Sequence, residues 1–582
     1  MTTLPRNQTG RLLLLVALVG TLAAYLNGMQ HPFVFDDPTQ IVNNEAVHSW
    51  RFIPQYFTSD VWQHTDPSVG GIFYRPIFQI WLLVNYKIAG LNTVWWHVTS
   101  LLLHLLITAS VFALAMMLVN DAVTAGITAL LFGVHPVHVE AVTWISGVTE
   151  PLMAIFFVAS FFFYLKNKRQ AHRKWLVLSL ALFACSLLSK ETAVMLPAVI
   201  VLYRWIQPNA AADSEPHTNL QRFMTGLRDA IPYIVLSLVY LVVRYFALKG
   251  LMRPLTPLSI GTLILTLPSI LAFYVRLLVW PFGLSVYYDT PYVTSPRFLN
   301  FVLPLLILIA LALAFYFLSK RDRMVAFLSF WMVLLLLPVL NLSVFPKGEL
   351  AHDRYLYVPS IAFCLLLAMA IRKLKAGSSM FLGLPASQVA AILLVVGVFA
   401  GVTARQNNFW SSDYALAARG VQIAPGNTLA ANNLGAELAV KGDYQNAILL
   451  FRQAIERRPE HWLPNFNLGY VYYRLGELRE AEHFLRQAIQ ISSEDPAEHR
   501  FLGFTLLEIG RKDEAEHELR RAISLKSNAP DQHHALGTIL EERKDFAGAL
   551  KEYQLENQVN PKNANVRQKI EEMEKAIRDQ SR

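Results

Sequence analysis

The sequence predicts an all-α protein in two parts, a polytopic membrane helix bundle over residues 1–405 and a helical-repeat solenoid over residues 406–582. Two observations carry this. Of the 582 residues 54% are hydrophobic and only 16% charged, and apolar runs of membrane-spanning length recur until the composition changes abruptly near Arg405. Beyond that point Leu-Gly pairs begin at Leu434, Leu468, Leu502 and Leu536, and alanines recur at Ala447, Ala481, Ala515 and Ala549, every step being 34 residues. Charge divides the same way. Residues 1–405 hold 28 Lys and Arg against 16 Asp and Glu, and residues 406–582 hold 23 against 26, so the net +9 comes from the membrane part. Its ordinary cause is Lys and Arg on cytoplasmic loops; no basic stripe interleaved with aromatics points to nucleic acid. Cys185 and Cys364, the only cysteines, lie in apolar segments and leave no disulfide framework, zinc motif or redox pair.

The first apolar segment, 11–28, follows Arg6 and Arg11 and lacks a small-x-small cleavage signal, so it reads as an uncleaved helix with a cytoplasmic N-terminus. Further spans are expected at 95–118, 121–134, 148–165, 174–189, 191–206, 230–249, 299–318, 323–341, 355–373 and 386–404, eleven in all. Two more segments are ambiguous: 76–90 is short and amphipathic, and 259–281 carries Pro268 and Arg276. Loop charge places both at the outer interface. The basic clusters at 166–174, 204–228, 320–323 and 372–375 then all fall inside, with 16 basic and 5 acidic residues there against 12 and 11 outside. Making 259–281 alone a span would carry 320–323 outward. An odd number of spans also puts the C-terminal part on the outer side.

A period of 34 residues is that of the tetratricopeptide repeat (TPR). Four hairpins are expected to start near 428, 462, 496 and 530, with Gly and Ala where paired helices approach and Phe451, Leu485, Leu519 and Tyr553 filling the grooves. Ala454, Ala488 and Ala522 follow at a fixed offset. The fourth repeat departs with Glu556 there, and 565–578 reads as a polar capping helix. Asn432, Asn433, Asn465 and Asn467 on the first helices are the candidates for contacting a polypeptide acceptor or partner.

The candidate site begins with Asp36 and Asp37, directly behind the first span. Two adjacent carboxylates at a membrane rim are costly to desolvate and belong where water, a metal or a polar substrate reaches them. On this topology Arg75, His135, His138, Glu140, Glu150, Lys190, Glu191, Arg244, His352, Asp353 and Arg354 face the same side. Such a mixture suits a substrate anionic at one end and hydroxyl-rich at the other. Cations hold a phosphate, and a carboxylate deprotonates an attacking hydroxyl or holds a divalent cation such as Mg or Mn that does so. Amphipathic segments at the interface accept a lipid tail. Plainer readings stand beside these. Asp37-Pro38 also reads as a helix-capping start, His135-Pro136 as a helix terminus, Lys190-Glu191 as a turn with a local ion pair, and Arg75-Pro76 as a headgroup anchor. His97 and His104, seven residues apart, read as bundle contacts.

The runs FVFDDPTQIVNNEAV, YRPIFQIWLLVNYKIAGLN, HPVHVEAVTWISGVTE, SKETAV and DRYLYVPS, followed by TPRs, resemble the transmembrane-and-TPR O-mannosyltransferase family, glycosyltransferases of the GT-C fold, over nearly the whole chain. The resemblance implies that the acidic pair is the catalytic motif and that the donor is a polyprenyl-phosphate sugar. It further implies an inverting transfer to a hydroxyl, and the TPRs favour protein Ser/Thr as acceptor. Arg75, Lys190, Arg244 and Arg354 are then the phosphate-binding candidates. His135, His138, Glu140, Glu150, Glu191, His352, Asp353 and Tyr355 are the other substrate contacts. The chain departs from the family pattern at Val148-Thr149, where a glycine-arginine pair is expected before Glu150. Between the two acids, the place of Asp37 beside Pro38 favours it as base. Compact loops and few cysteines suit a bacterial inner membrane with a periplasmic outer face. The alternative is a membrane-anchored TPR scaffold for envelope or secretion proteins.

Overall fold

The computed structural model describes residues 6–63, 65, 73–207, 218–250, 258–345, 348–374, 380–381, 384–492 and 495–581. Lys375 of the fourth basic cluster lies outside them. The described chain is helical almost throughout; its only paired strands are Met380–Phe381 and Leu384–Pro385, two residues each. Two compact units divide after Arg419, fourteen residues beyond the compositional break at 405. The residues between look like solenoid but pack with the membrane unit. Trp410 stacks on Trp144 at 6.0 Å, Asp413 Oδ1 accepts a hydrogen bond from Phe35 N at 2.7 Å, and Arg419 Nε donates to Leu284 O at 3.2 Å.

Eight helices of the described residues are long and apolar enough to cross a membrane, nine if the bent pair Ala122–Gly133 and Pro136–Thr143 is one span. Seven of the eight coincide with expected spans. The eighth, Ile260–Val279, is a continuous 20-residue helix despite Pro268, so length does not distinguish it from the spans and only loop charge argues for an interfacial position. Three other expected spans are shorter helices, Arg173–Ser189, Leu196–Ile206 and Pro359–Arg372. Two of them are preceded by tight 3-10 turns, Glu191–Met195 and Asp353–Leu356, which carry motif residues and consume length that the hydropathy had assigned to helix. The 14-residue helix Pro76–Ala89 starts with proline at its first position, where the missing N–H costs nothing.

Close packing positions the motif loops. A Cβ on Gly126 would lie 2.5 Å from Leu13 Cβ, so Ala122–Gly133 meets the first helix, Arg6–Tyr25, without room for any side chain there. At the end of the last membrane-unit helix, Ala386–Asn407, Asn407 donates to Ala24 O and Asn27 Oδ1 at 3.0 Å each and accepts from Thr143 Oγ1 at 2.8 Å. First helix, last helix and histidine motif are thereby tied at one end.

The second unit is the expected solenoid: Thr428–Val440 with Tyr444–Arg457, Trp462–Leu475 with Leu478–Ile491, Pro496–Ile509 with Lys512–Leu525, Gln532–Glu542 with Phe546–Val559, then Ala564–Gln580. The recurring alanines and Phe451, Leu485, Leu519 and Tyr553 are fully buried. Glu556 departs from the alanine pattern for a reason: its carboxylate accepts from Asp531 N at 2.8 Å and His534 N at 3.3 Å, closing the start of the helix Gln532–Glu542. A Cβ on Gly469 would lie 2.8 Å from Leu485 Cγ and 3.0 Å from its backbone N. Gly469→Ala is therefore expected to destabilise this unit by about 1–3 kcal/mol, read as a lowered unfolding midpoint.

Candidate active site

The acidic pair leaves the first helix through a strained residue. Phe35 has φ of 62°, a left-handed conformation that is unfavourable for a bulky side chain. It is held by Asp413 at its N–H and by edge contacts of its ring with Trp144 at 5.4 Å and Tyr287 at 6.1 Å. The turn sends the two carboxylates to different places. Asp37 is buried: Oδ1 accepts from Ser146 N at 2.8 Å and Ser146 Oγ at 2.6 Å, and Oδ2 from Val34 N at 3.3 Å. Burial pushes its carboxyl up to about 7, against the Ser146 and Val34 hydrogen bonds. Asp36 is half-buried and lines a cavity of about 100 Å³. Burial pushes it up to about 6, against the pull of the Arg354 charge. Asp37 thus anchors the loop, and the carboxylate offered to a ligand is Asp36, the reverse of what the position beside Pro38 suggests.

Arg75, Lys190, Arg354 and Tyr355 line the same cavity, with the aromatic faces of Trp62, Phe73 and Trp144. Each cation is compensated from behind. Arg75 makes two bonds to Glu191, at 2.8 and 3.2 Å; Lys190 pairs with Glu150; Arg354 pairs with Glu140, which also accepts from Arg354 N at 3.0 Å. Glu140, Glu150 and Glu191 therefore hold cations instead of reaching the cavity as substrate contacts. Lys190 Nζ lies 5.0 Å from the Tyr355 ring centroid, and the Arg354 guanidinium 5.2 Å from Tyr355 and 5.4 Å from Trp144. Three cations converging on one cavity with a free carboxylate can hold an anionic group and take a proton beside it.

The remaining candidates lie elsewhere. His135 is buried, with Nε2–H donating to Leu278 O at 3.2 Å and Nδ1 accepting from Val137 N at 3.4 Å. His138 packs on Phe132 and Tyr357 and meets Ser360 Oγ at 2.8 Å. Both are core contacts, because the bend after Gly133 turns them into the bundle. His97 and His104 are bundle contacts as well, bonded to His31 O at 3.1 Å and Gly133 O at 3.1 Å. Arg244 is buried on the helix Asn219–Ala247 and does not line the cavity. His352 stands behind Arg354, 3.8 Å from Glu140, and Asp353 accepts the Tyr288 hydroxyl. On the solenoid, Asn432 and Asn465 are buried; Asn432 donates to Asn433 at 3.1 Å and accepts from Asn467 at 2.9 Å, a ladder joining two repeats. Asn433 and Asn467 are half-exposed. No group of three metal-ligating side chains occurs among the described residues, and Asp37, one of the two carboxylates considered for a cation, is occupied by Ser146 and Val34. Gln40, Trp62, Trp144 and Ser146 line the cavity without having been singled out; Gln40 and Trp144 sit inside the quoted motifs, one turn after Asp36 and as the lone indole in an aliphatic run.

Comparison with known proteins finds a repeat-family match and several relatives. A tetratricopeptide repeat family model matches residues 432–496. A protein O-mannosyl-transferase of Caenorhabditis elegans is 28% identical over 77% of this chain and 63% of its own length. The human protein O-mannosyl-transferase TMTC1 is 27% identical over 75% of this chain and 54% of its own. The chain is homologous to the protein O-mannosyl-transferases. It spans roughly half to just under two-thirds of the length of these relatives. Among solved structures, a TPR protein of Thermus thermophilus is 20% identical over 31% of this chain and 94% of its own, with a TM-score of 0.24.

Proposed function

We propose that the chain is a GT-C-type membrane glycosyltransferase that moves a sugar from a polyprenyl phosphate to a protein Ser/Thr hydroxyl on the outer face of the membrane, with inversion. The observation that carries this is Asp36, a carboxylate without a hydrogen-bond partner among the described residues, sharing its cavity with Arg75, Lys190 and Arg354. Asp36 takes the proton of the acceptor hydroxyl as its oxygen attacks the anomeric carbon. The bond from that carbon to the phosphate oxygen breaks, and polyprenyl phosphate leaves with its charge stabilised by Arg354 and Lys190. As Asp36 takes the proton and becomes neutral, its negative charge passes to the departing phosphate, which goes from one to two negative charges beside Arg354 and Lys190. The homologues' name supports mannose as the sugar, and the repeat unit supports a polypeptide acceptor.

The test supplies the purified chain with a labelled polyprenyl-phosphate mannose and a Ser/Thr-rich peptide. Labelled peptide of inverted anomeric configuration, together with released polyprenyl phosphate, is the expected result. Peptide left unlabelled under conditions that preserve the donor would overturn the reading.

A further inference from the structure

Two polar groups in the cavity have no part in the transfer step. Gln40 follows Asp36 by one turn, its backbone N donating to Asp36 O at 2.8 Å. Its side chain is 7% exposed and Oε1 has no hydrogen-bond partner among the described residues. Trp144 is 6% exposed, and its Nε1–H is equally unpaired. The indole cannot swing to find a partner within the protein: Trp410 stacks on it at 6.0 Å, Phe35 meets it edge-on at 5.4 Å, and the Arg354 guanidinium lies over it.

Buried amide and indole groups are ordinarily hydrogen-bonded, so an unpaired acceptor and an unpaired donor on two residues that line one cavity mark places where a ligand completes the pairing. The ligand that fits has hydroxyls able to both donate and accept, and C–H faces able to lie against Trp62, Phe73 and Tyr355. A hexose has both. Arg354 over the indole sets Trp144 beside the cation that holds phosphate, where the sugar attached to that phosphate must lie; the protein acceptor approaches from the Asp36 carboxylate. We propose that Gln40 and Trp144 form the sugar-reading wall of the donor site, each bonding a ring hydroxyl and together selecting among hexose epimers. This deepens the transfer reading and rests on it.

The test uses the full chain in detergent with polyprenyl-phosphate mannose, glucose and galactose as donors. It compares the wild-type chain with Gln40→Met, which keeps the side chain's shape, and Trp144→Phe, which keeps a ring. Each variant is expected to lose about tenfold in kcat/KM toward the preferred sugar, the loss of one hydrogen bond, and to narrow the ratio between epimers. Inhibition by sugar-free polyprenyl phosphate is expected to stay as in the wild type. Epimer ratios unchanged in the variants, or weakened polyprenyl phosphate inhibition in parallel with the loss, would overturn the assignment while leaving the transfer reading intact. Absence of transfer of any of the three sugars by the wild-type chain overturns both. The two substitutions are independent, so a folding failure in one leaves the other decisive.

Discussion

Asp36→Asn is expected to lower the transfer rate by about 10²–10⁴ while leaving the fold in place. Asparagine has the same shape, and the Asp36 side chain makes no hydrogen bond among the described residues that the change would break. Asp37→Asn is expected to behave differently. Its oxygen can still accept from Ser146, whose N–H and hydroxyl both point at Oδ1, so the turn is retained and the rate falls by less than about tenfold. Transfer kinetics of the two variants side by side decide the matter; a larger loss from Asp37→Asn than from Asp36→Asn would reverse the assignment of base and anchor. The pH profile gives a second check. A base must be ionised, and burial sets Asp36 at about 6, so kcat/KM is expected to fall as the pH drops through about 6. For stability the sign is opposite. A carboxyl raised above its usual range in the folded state favours folding at low pH and loses that contribution as the pH rises through the folded value. Acid should therefore silence transfer while this group favours the fold, and Asp36→Asn should remove that limb of the activity profile.

The acidic pair was legible because two carboxylates at a membrane rim need an explanation, but their division of labour was not. Ser146, the partner that occupies Asp37, lies 109 residues away, and the left-handed turn at Phe35 is set by Asp413, 378 residues away. Neither contact leaves a local pattern. The histidines illustrate the opposite failure: His135 and His138 carry chemistry in many sites, yet here a bend between two helices turns them onto Leu278 and Ser360. The solenoid was readable at single-residue level because its glycines and alanines answer to one repeated geometric demand. Its boundary was not, since charged residues near 413–419 satisfy partners in the membrane unit and so resemble a soluble segment in composition alone.

Lys190→Met is expected to cost about 3–5 kcal/mol of stability and to abolish measurable transfer. The Lys190 and Glu150 side chains are 3% and 4% exposed, so neither charge has water to fall back on. Burial holds Lys190 below the usual lysine range, with Glu150 pulling it back up. Removing the ammonium leaves Glu150 against Met153, Phe157, Leu335 and Val339, where an unpaired carboxylate is poorly solvated. The compensating variant separates architecture from chemistry. Lys190→Met with Glu150→Leu removes both charges and fills the space with apolar groups, which recovers much of the unfolding midpoint because a buried pair contributes little net stability over a well-packed hydrophobic replacement. Transfer is expected to stay lost, since Lys190 is then missing from the set of cations that meets the departing phosphate. Recovery of transfer together with stability would make Lys190 a structural residue and leave Arg354 and Arg75 to carry the phosphate. The Arg75–Glu191 pair, 14% and 26% exposed, should show a smaller stability loss on the matching Arg75→Met change, because water can reach the carboxylate left behind.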